Sequence, residues 1–253
     1  MKYHSCFTLV VIAVASVTSF AKEVPTTSVK HASPTIANLA YGDFERSKLD
    51  FWQAESDSPT PVLVFFHGGG FKGGDKKSIH RYFPVKDYLA NGISCISVNY
   101  PFLQHTDNNY GVIMTESKKA IEFIRGKAEK WNIDTSRLGA AGCSAGTLTS
   151  EWLGVSTDYI SALGVFMQPM GTPMLVLPWL NANFPPIMIY HTSPTSDKVH
   201  DPQYAKMVKT ACDSYGVECQ VWGTGKNGIH ALPKGKNHKN EMLAFFLKQW
   251  KLK

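Results

Sequence analysis

The sequence predicts an α/β domain, with a mostly parallel sheet and helices on both of its faces. Two observations carry that expectation. Short apolar runs of strand length alternate with segments of helical period. Two glycine-bearing turns also follow strand-like runs directly, His67-Gly68-Gly69-Gly70-Phe71 and Gly142-Cys143-Ser144-Ala145-Gly146.

The elements follow in chain order. Leu49–Ala54 reads as a short strand and Pro61–Phe66 as a continuous apolar one, long enough to cross a buried sheet. Lys77–Ala90 has helical character, and Ile93–Val98 is again a strand. In Val112–Trp131, residues Ile113, Ala120, Ile121, Ile124, Ala128 and Trp131 share one helical face. Arg137–Ala141 is a strand that runs into the second glycine turn, and a helix follows. Ile160–Met167 and Ile187–Tyr190 are strands, Pro202–Tyr215 a helix, Cys219–Trp222 the last strand and Asn240–Lys251 the closing helix. There is no internal repeat and no break in composition after residue 40, so residues 41–253 form one domain.

Composition sets limits on function. The chain has 253 residues, 43% hydrophobic and 18% charged, which suits one domain with a full core. Lys2 and His4 precede an apolar run from Phe7 to Val17, and Ser19-Phe20-Ala21 offers small residues where a signal peptidase cuts. Residues 1–21 therefore read as an export signal cleaved after Ala21, and a secreted or periplasmic product follows. The run is short for a membrane span, which needs about 20 apolar residues. Residues 22–40, rich in Ser, Thr and Pro, read as a mobile leader. Loss of Lys2 lowers the net charge from +6 to +5. The lysines are scattered, so they read as a solvated basic surface, with no nucleic-acid footprint and no membrane partner after cleavage. Cys6 leaves with the signal. Cys212 and Cys219 lie close enough in sequence for a bridge, which spacing alone does not establish. No cysteine or histidine spacing suggests a metal site, and no cofactor is expected.

The turn around Ser144 matches G-x-S-x-G between a strand and a helix. A serine there sits on a sharp turn, and the flanking glycines let neighbouring chain approach it. The helix that follows points its N-terminus at the site, favouring a developing negative charge. The loop after Phe66 leaves glycine N–H groups uncovered for an oxyanion. It also reads as Gly68-x-Gly70-x-x-Gly73, a dinucleotide fingerprint. That reading needs an acid ending the next strand, and Asn99-Tyr100-Pro101 has none.

With these residues in place, the chain resembles the α/β-hydrolase esterases of the hormone-sensitive-lipase and feruloyl/acetyl-esterase type. The resemblance covers Leu49–Trp52, His67–Lys76, Gly92–Tyr100, Asn132–Asp134, Arg137–Gly146 and Ile229-His230. It implies the α/β-hydrolase fold with a minimal cap, and an oxyanion hole from the N–H groups of Gly69, Gly70 and Ala145. His67 then orders the loop and is not a base. Cys143 stands where many relatives carry an acid, and Thr147 where many carry a glycine.

In this fold the acid and then the histidine follow the nucleophile. The resemblance places the base at His230, after the last strand, with His238 as the fallback and His191 in a structural position. It places the acid at Asp197, in Asp197-Lys198-Val199. Asp201 remains an alternative, although before Pro202 it suits a helix cap. The resulting expectation is a secreted carboxylic-ester hydrolase working through Ser144, Asp197, His230 and an acyl-enzyme. Its expected substrates are short-chain acyl or aryl esters, including acetyl or feruloyl esters on polysaccharides. A serine peptidase of the same fold, or a silent hydrolase fold used for binding, are the other readings. Pro169–Pro186 is the only segment long enough for a cap, and Trp179 is its expected contribution to a pocket wall.

Overall fold

A computed structural model describes residues 31–252. The expected export signal, residues 1–21, and residues 22–30 of the expected leader lie outside the described residues. The strands are β1 (Ile36–Ala40), β2 (Lys48–Trp52), β3 (Thr60–Phe66), β4 (Ser94–Asn99), β5 (Ile133–Cys143), β6 (Ala162–Phe166), β7 (Ile187–Tyr190) and β8 (Cys219–Trp222). The helices are α1 (Ile79–Tyr82), α2 (Val85–Ala90), α3 (Tyr110–Arg125), α4 (Ala128–Trp131), α5 (Ala145–Ser156), α6 (Thr172–Leu175), α7 (Pro202–Ser214) and α8 (His238–Gln249). The strands form one eight-stranded sheet in the order β1-β2-β4-β3-β5-β6-β7-β8. Strands β3 to β8 run parallel, β2 is antiparallel to β4, and β1 is antiparallel to β2 in turn. This is the α/β-hydrolase fold.

Alternation along β3 divides its side chains between two cores. Val62, Val64 and Phe66 face one, with Ile113 and Ile121 of α3, Leu153 of α5 and Val208 of α7. Leu63 and Phe65 face the other, with Ile79 of α1, Val85 of α2, and Phe245 and Phe246 of α8. A strand buried on both faces has no polar alternate, which is why β3 reads as an unbroken apolar run.

Two expectations need correction. The end of the supposed leader, residues 36–40, is the edge strand β1, its ladder to β2 supplemented by Asn38 N–H donating to Asp50 Oδ1 at 2.7 Å. The helix expected over 77–90 is broken at Pro84, with Phe83 extended before it. The Cys212–Cys219 bridge that spacing left open is not formed, and both are buried free thiols.

One buried ion pair fixes the chain that follows the glycine loop. Lys76 Nζ lies 2.7 Å from Asp50 Oδ2, with both side chains almost fully covered. Lys76 N–H donates to Asn99 Oδ1 and its carbonyl accepts from Ser97 Oγ. The loop exit is thus tied to β2 and β4 together. Lys76→Met strands the Asp50 charge and is expected to cost about 3 kcal/mol. A urea unfolding curve should show the midpoint falling with an unchanged slope. The double variant with Asp50→Asn should recover part of the loss.

Candidate active site

Strands β3, β5, β6 and β7 end along one sheet edge, and their following loops meet there. Register places Phe66 of β3 beside Gly142 of β5, and Cys143 beside Phe166 of β6. The glycine loop, Ser144, Met167-Gln168 and His191 therefore converge.

Ser144 has φ 54° and ψ −115°, a left-handed backbone that L side chains rarely adopt. Its N–H donates to Phe166 O at 2.9 Å, and Thr147 Oγ1 donates to the same carbonyl at 2.6 Å. A Cβ on Gly146 would stand 1.9 Å from Phe66 O, so only glycine lets α5 start so close to β3. Thr147 is thus an anchor of the turn.

The glycine loop lies against that turn. A Cβ on Gly68 would meet Cys143 O at 2.8 Å. Gly69 and Gly70 both have positive φ. Among the described residues the N–H groups of Gly69, Gly70 and Ala145 donate to no protein acceptor. His67 is buried, and burial, followed in effect by Arg46, lowers its pKa to about 4. It is neutral. Its Nδ1–H donates to Gly68 O at 2.7 Å, and Nε2 accepts from Arg46 Nη2 at 3.3 Å. Arg46 also donates to Gly74 O at 3.0 Å. His67 orders the loop from beneath.

The histidine beside Ser144 is not the one expected. Ser144 Oγ lies 2.8 Å from Nε2 of His200, not of His230. His200 Nδ1 donates to Asp197 Oδ2 at 3.0 Å, which leaves Nε2 to accept the serine proton. Asp197 Oδ1 takes the N–H groups of Val199 and His200, and Oδ2 takes Ser193 Oγ. Partial burial pushes the Asp197 pKa up, but bonds from His200 and Ser193 outweigh it and hold the carboxylate down at about 2. Asp201 caps α7 instead, accepting from Gln203 N–H at 2.9 Å. His230 is exposed, and only its backbone carbonyl is engaged, by Gly223 N–H. Asn227, earlier in the same loop, braces the acid loop by donating to the carbonyls of His191 and Ser193.

A second chain of bonds reaches His200 from below. His191 Nε2 donates to His200 O at 2.8 Å, and His191 Nδ1 accepts from Gln168 N–H at 3.0 Å. Gln168 Nε2 donates to Glu151 Oε2 at 2.6 Å and to Thr172 Oγ1 at 2.7 Å. Glu151 is fully buried in α5, and sequence reasoning missed it. Its signal was an acid on the inward face of an apolar helix.

Ser144 and His200 open into a pocket of about 640 Å³. Its walls are Tyr82, Phe166, Met167, Tyr190 and His238, together with Arg81, Thr192 and Lys239. His238 stacks on Tyr190 with ring centres 4.5 Å apart. No residue of 169–186 lines it, which corrects the expected role of that segment. Trp179 is 66% exposed and lines a separate groove with Tyr159, Asn181 and Asn183. Among the described residues no cluster has the makings of a metal site, and no helix is long and apolar enough to cross a membrane.

With the hydroxyl, imidazole and carboxylate in a hydrogen-bonded row beside three free N–H groups, comparison with known proteins places the chain. The BD-FAE family model matches residues 49–216. The chain belongs to the BD-FAE family. Its sequence is 30% identical over 122 residues to esterase LipC of Mycobacterium tuberculosis, a match covering 47% of this chain and 30% of that protein. In structure this BD-FAE chain is similar to a truncated carbohydrate esterase from gut microbiota, with TM-score 0.69, 18% identity, and coverage of 87% of this chain and 97% of the other. It is also similar to Thermogutta terrifontis esterase 2, with TM-score 0.67, 17% identity, and coverage of 84% and 93%.

Glu151 makes stability depend on pH. Burial raises its pKa from the ordinary 4.5 to about 8. Between those values the folded chain keeps a proton that the unfolded chain releases. Its favourable contribution is complete below about pH 4.5 and is lost as pH rises through 8. Wild-type stability should fall by up to about 1.4 kcal/mol per pH unit across that window. Glu151→Gln should flatten the fall, which unfolding midpoints at pH 5, 6, 7 and 8 will show.

Proposed function

We propose that the chain is an exported serine carboxylic-ester hydrolase working through Ser144, His200 and Asp197. The observation that carries this is the uninterrupted row Ser144 Oγ, His200 Nε2, His200 Nδ1, Asp197 Oδ2. His200 Nε2 takes the Ser144 proton as Oγ attacks the ester carbonyl. The carbonyl oxygen gains charge and accepts from the N–H groups of Gly69, Gly70 and Ala145. His200 then passes the proton to the departing alcohol, leaving an acyl group on Ser144. A water, deprotonated by the same Nε2, releases the acid. Asp197 stays ionised throughout, because its pKa is about 2, and it stabilises the imidazolium.

The substrate reading is an ester of a short acyl or aryl acid, carried on a carbohydrate. Support comes from the family, from the likeness to a carbohydrate esterase, and from aromatic walls that suit a ring. Export through residues 1–21 belongs to the same reading and rests on the Lys2, apolar run and Ser19-Phe20-Ala21 pattern.

The test is a set of substitutions assayed on 4-nitrophenyl acetate. Ser144→Ala and His200→Ala should each lower kcat by at least about 10³-fold, and Asp197→Asn by roughly 10³ to 10⁴. His230→Ala should stay within about twofold of wild type, since nothing at Ser144 depends on its ring. A fluorophosphonate probe should label Ser144 and nothing else. Loss of activity in His230→Ala with retention in His200→Ala would reverse the assignment.

Acyl length follows from the absence of residues 169–186 from the pocket walls. Each extra methylene gains about 0.8 kcal/mol only where a wall covers it. kcat/KM should peak between acetyl and butyryl esters and fall beyond. Trp179→Ala should leave the whole series unchanged.

A further inference from the structure

The pocket beside Ser144 carries positive charge that the reaction does not use. Arg81 and Lys239 are both among the residues that line it, Arg81 on α1 and Lys239 on α8. Neither pairs with a carboxylate among the described residues. No carboxylate lines the pocket. Asp197, the acid next to it, is occupied by His200, Val199 and Ser193.

The placement of Lys239 sharpens the point. α8 begins at His238, with Asn237 as its cap accepting from Asn240 N–H. Lys239 is therefore in the first turn of a twelve-residue helix, where the backbone dipole is positive and a cation is disfavoured. The acid in that turn, Glu241, pairs with Lys236 instead, at 3.0 Å. A cation kept against the dipole and left without a partner breaks a local rule, as residues at functional sites do. His238 adds no charge of its own to offset: burial, and then Lys239, hold its pKa below the ordinary value. Both cations, one of them in the first turn of α8, thus line one aromatic-walled pocket.

We propose that Arg81 and Lys239 make this pocket selective for esters that carry a carboxylate, such as an acylated acidic sugar, with the carboxylate held between the two cations while Ser144 attacks the ester. This rests on the esterase reading above. It adds a specificity that the row of catalytic groups does not imply.

The test compares acetate release from an acetylated methyl glucuronoside and from the matching acetylated methyl glucoside, which differ in one carboxylate. 4-Nitrophenyl acetate serves as the reference. At low ionic strength kcat/KM for the acidic sugar should exceed that for the neutral one by on the order of tenfold, the scale of two partly exposed charge pairs. The ratio should shrink toward one in about 1 M salt, where the screening length is near 3 Å. Arg81→Gln and Lys239→Gln should each lower the ratio about threefold on the same scale. Arg81→Lys should keep it, and Lys239→Glu should push it below wild type most of all. A ratio of one or less in the wild type, or a ratio unmoved by either substitution, overturns the proposal. So does cleavage of 4-nitrophenyl acetate with neither sugar deacetylated. Failure to cleave 4-nitrophenyl acetate at all overturns the esterase reading itself.

Discussion

The turn at Ser144 is the constraint on which the site depends. A non-glycine residue at φ 54° costs on the order of 1–3 kcal/mol, and it persists only where surrounding structure allows no alternative. Here the alternatives are removed from both sides. Phe166 O takes two donors from the turn, and Gly146 lets Phe66 come within contact of the helix start. Once the chain reverses there, Ser144 Oγ stands on the crest, α5 runs away beneath it, and Ala145 N–H is turned toward the same space. The proposed nucleophile, the helix N-terminus and the proposed oxyanion donor are consequences of one bend.

Two sets of bonds hold the partners of that bend in place. On one side neutral His67 and Arg46 stitch the glycine loop shut at Gly68 and Gly74, while Lys76 and Asp50 fix its exit. On the other, Glu151, Gln168 and His191 run as a column from the elbow helix to the backbone of His200. The second column has a cost. Oε1 of Glu151 and Oε1 of Gln168 are buried without partners among the described residues, so the position of His200 is maintained against local instability.

Strand positions, both glycine turns and the serine were legible because each rests on short-range physics: apolar runs, strand-to-helix order, glycine where backbone crowds. Asp197 and Asp201 were separable for a related reason, since an acid before Pro202 has a cap to make. The base was not legible from chain order. The loop after β8 carries a histidine where the resemblance expects one, but the three-residue step from Asp197 to His200 brings carboxylate, backbone N–H and ring together within one turn. That short spacing was the available signal. β1 escaped because an edge strand needs little apolar sequence, and its bulged register to β2 disrupts alternation. The pocket walls were misread because Pro169–Pro186 descends to the far end of α5, and only three-dimensional routing shows that.

The proposed acid and base, Asp197 and His200, are neighbours on a single loop and are not gathered from two. Their mutual geometry is set by four consecutive residues, and so it survives changes elsewhere that would pull apart a pair assembled across strands. On the proposed assignment the chain beyond β8 contributes a brace at Asn227, and its tip has no part in the proton relay. Insertions or trimming at that tip would then leave the Asp197–His200 pair untouched, and one short stretch of sequence, moved whole, would carry both of its groups.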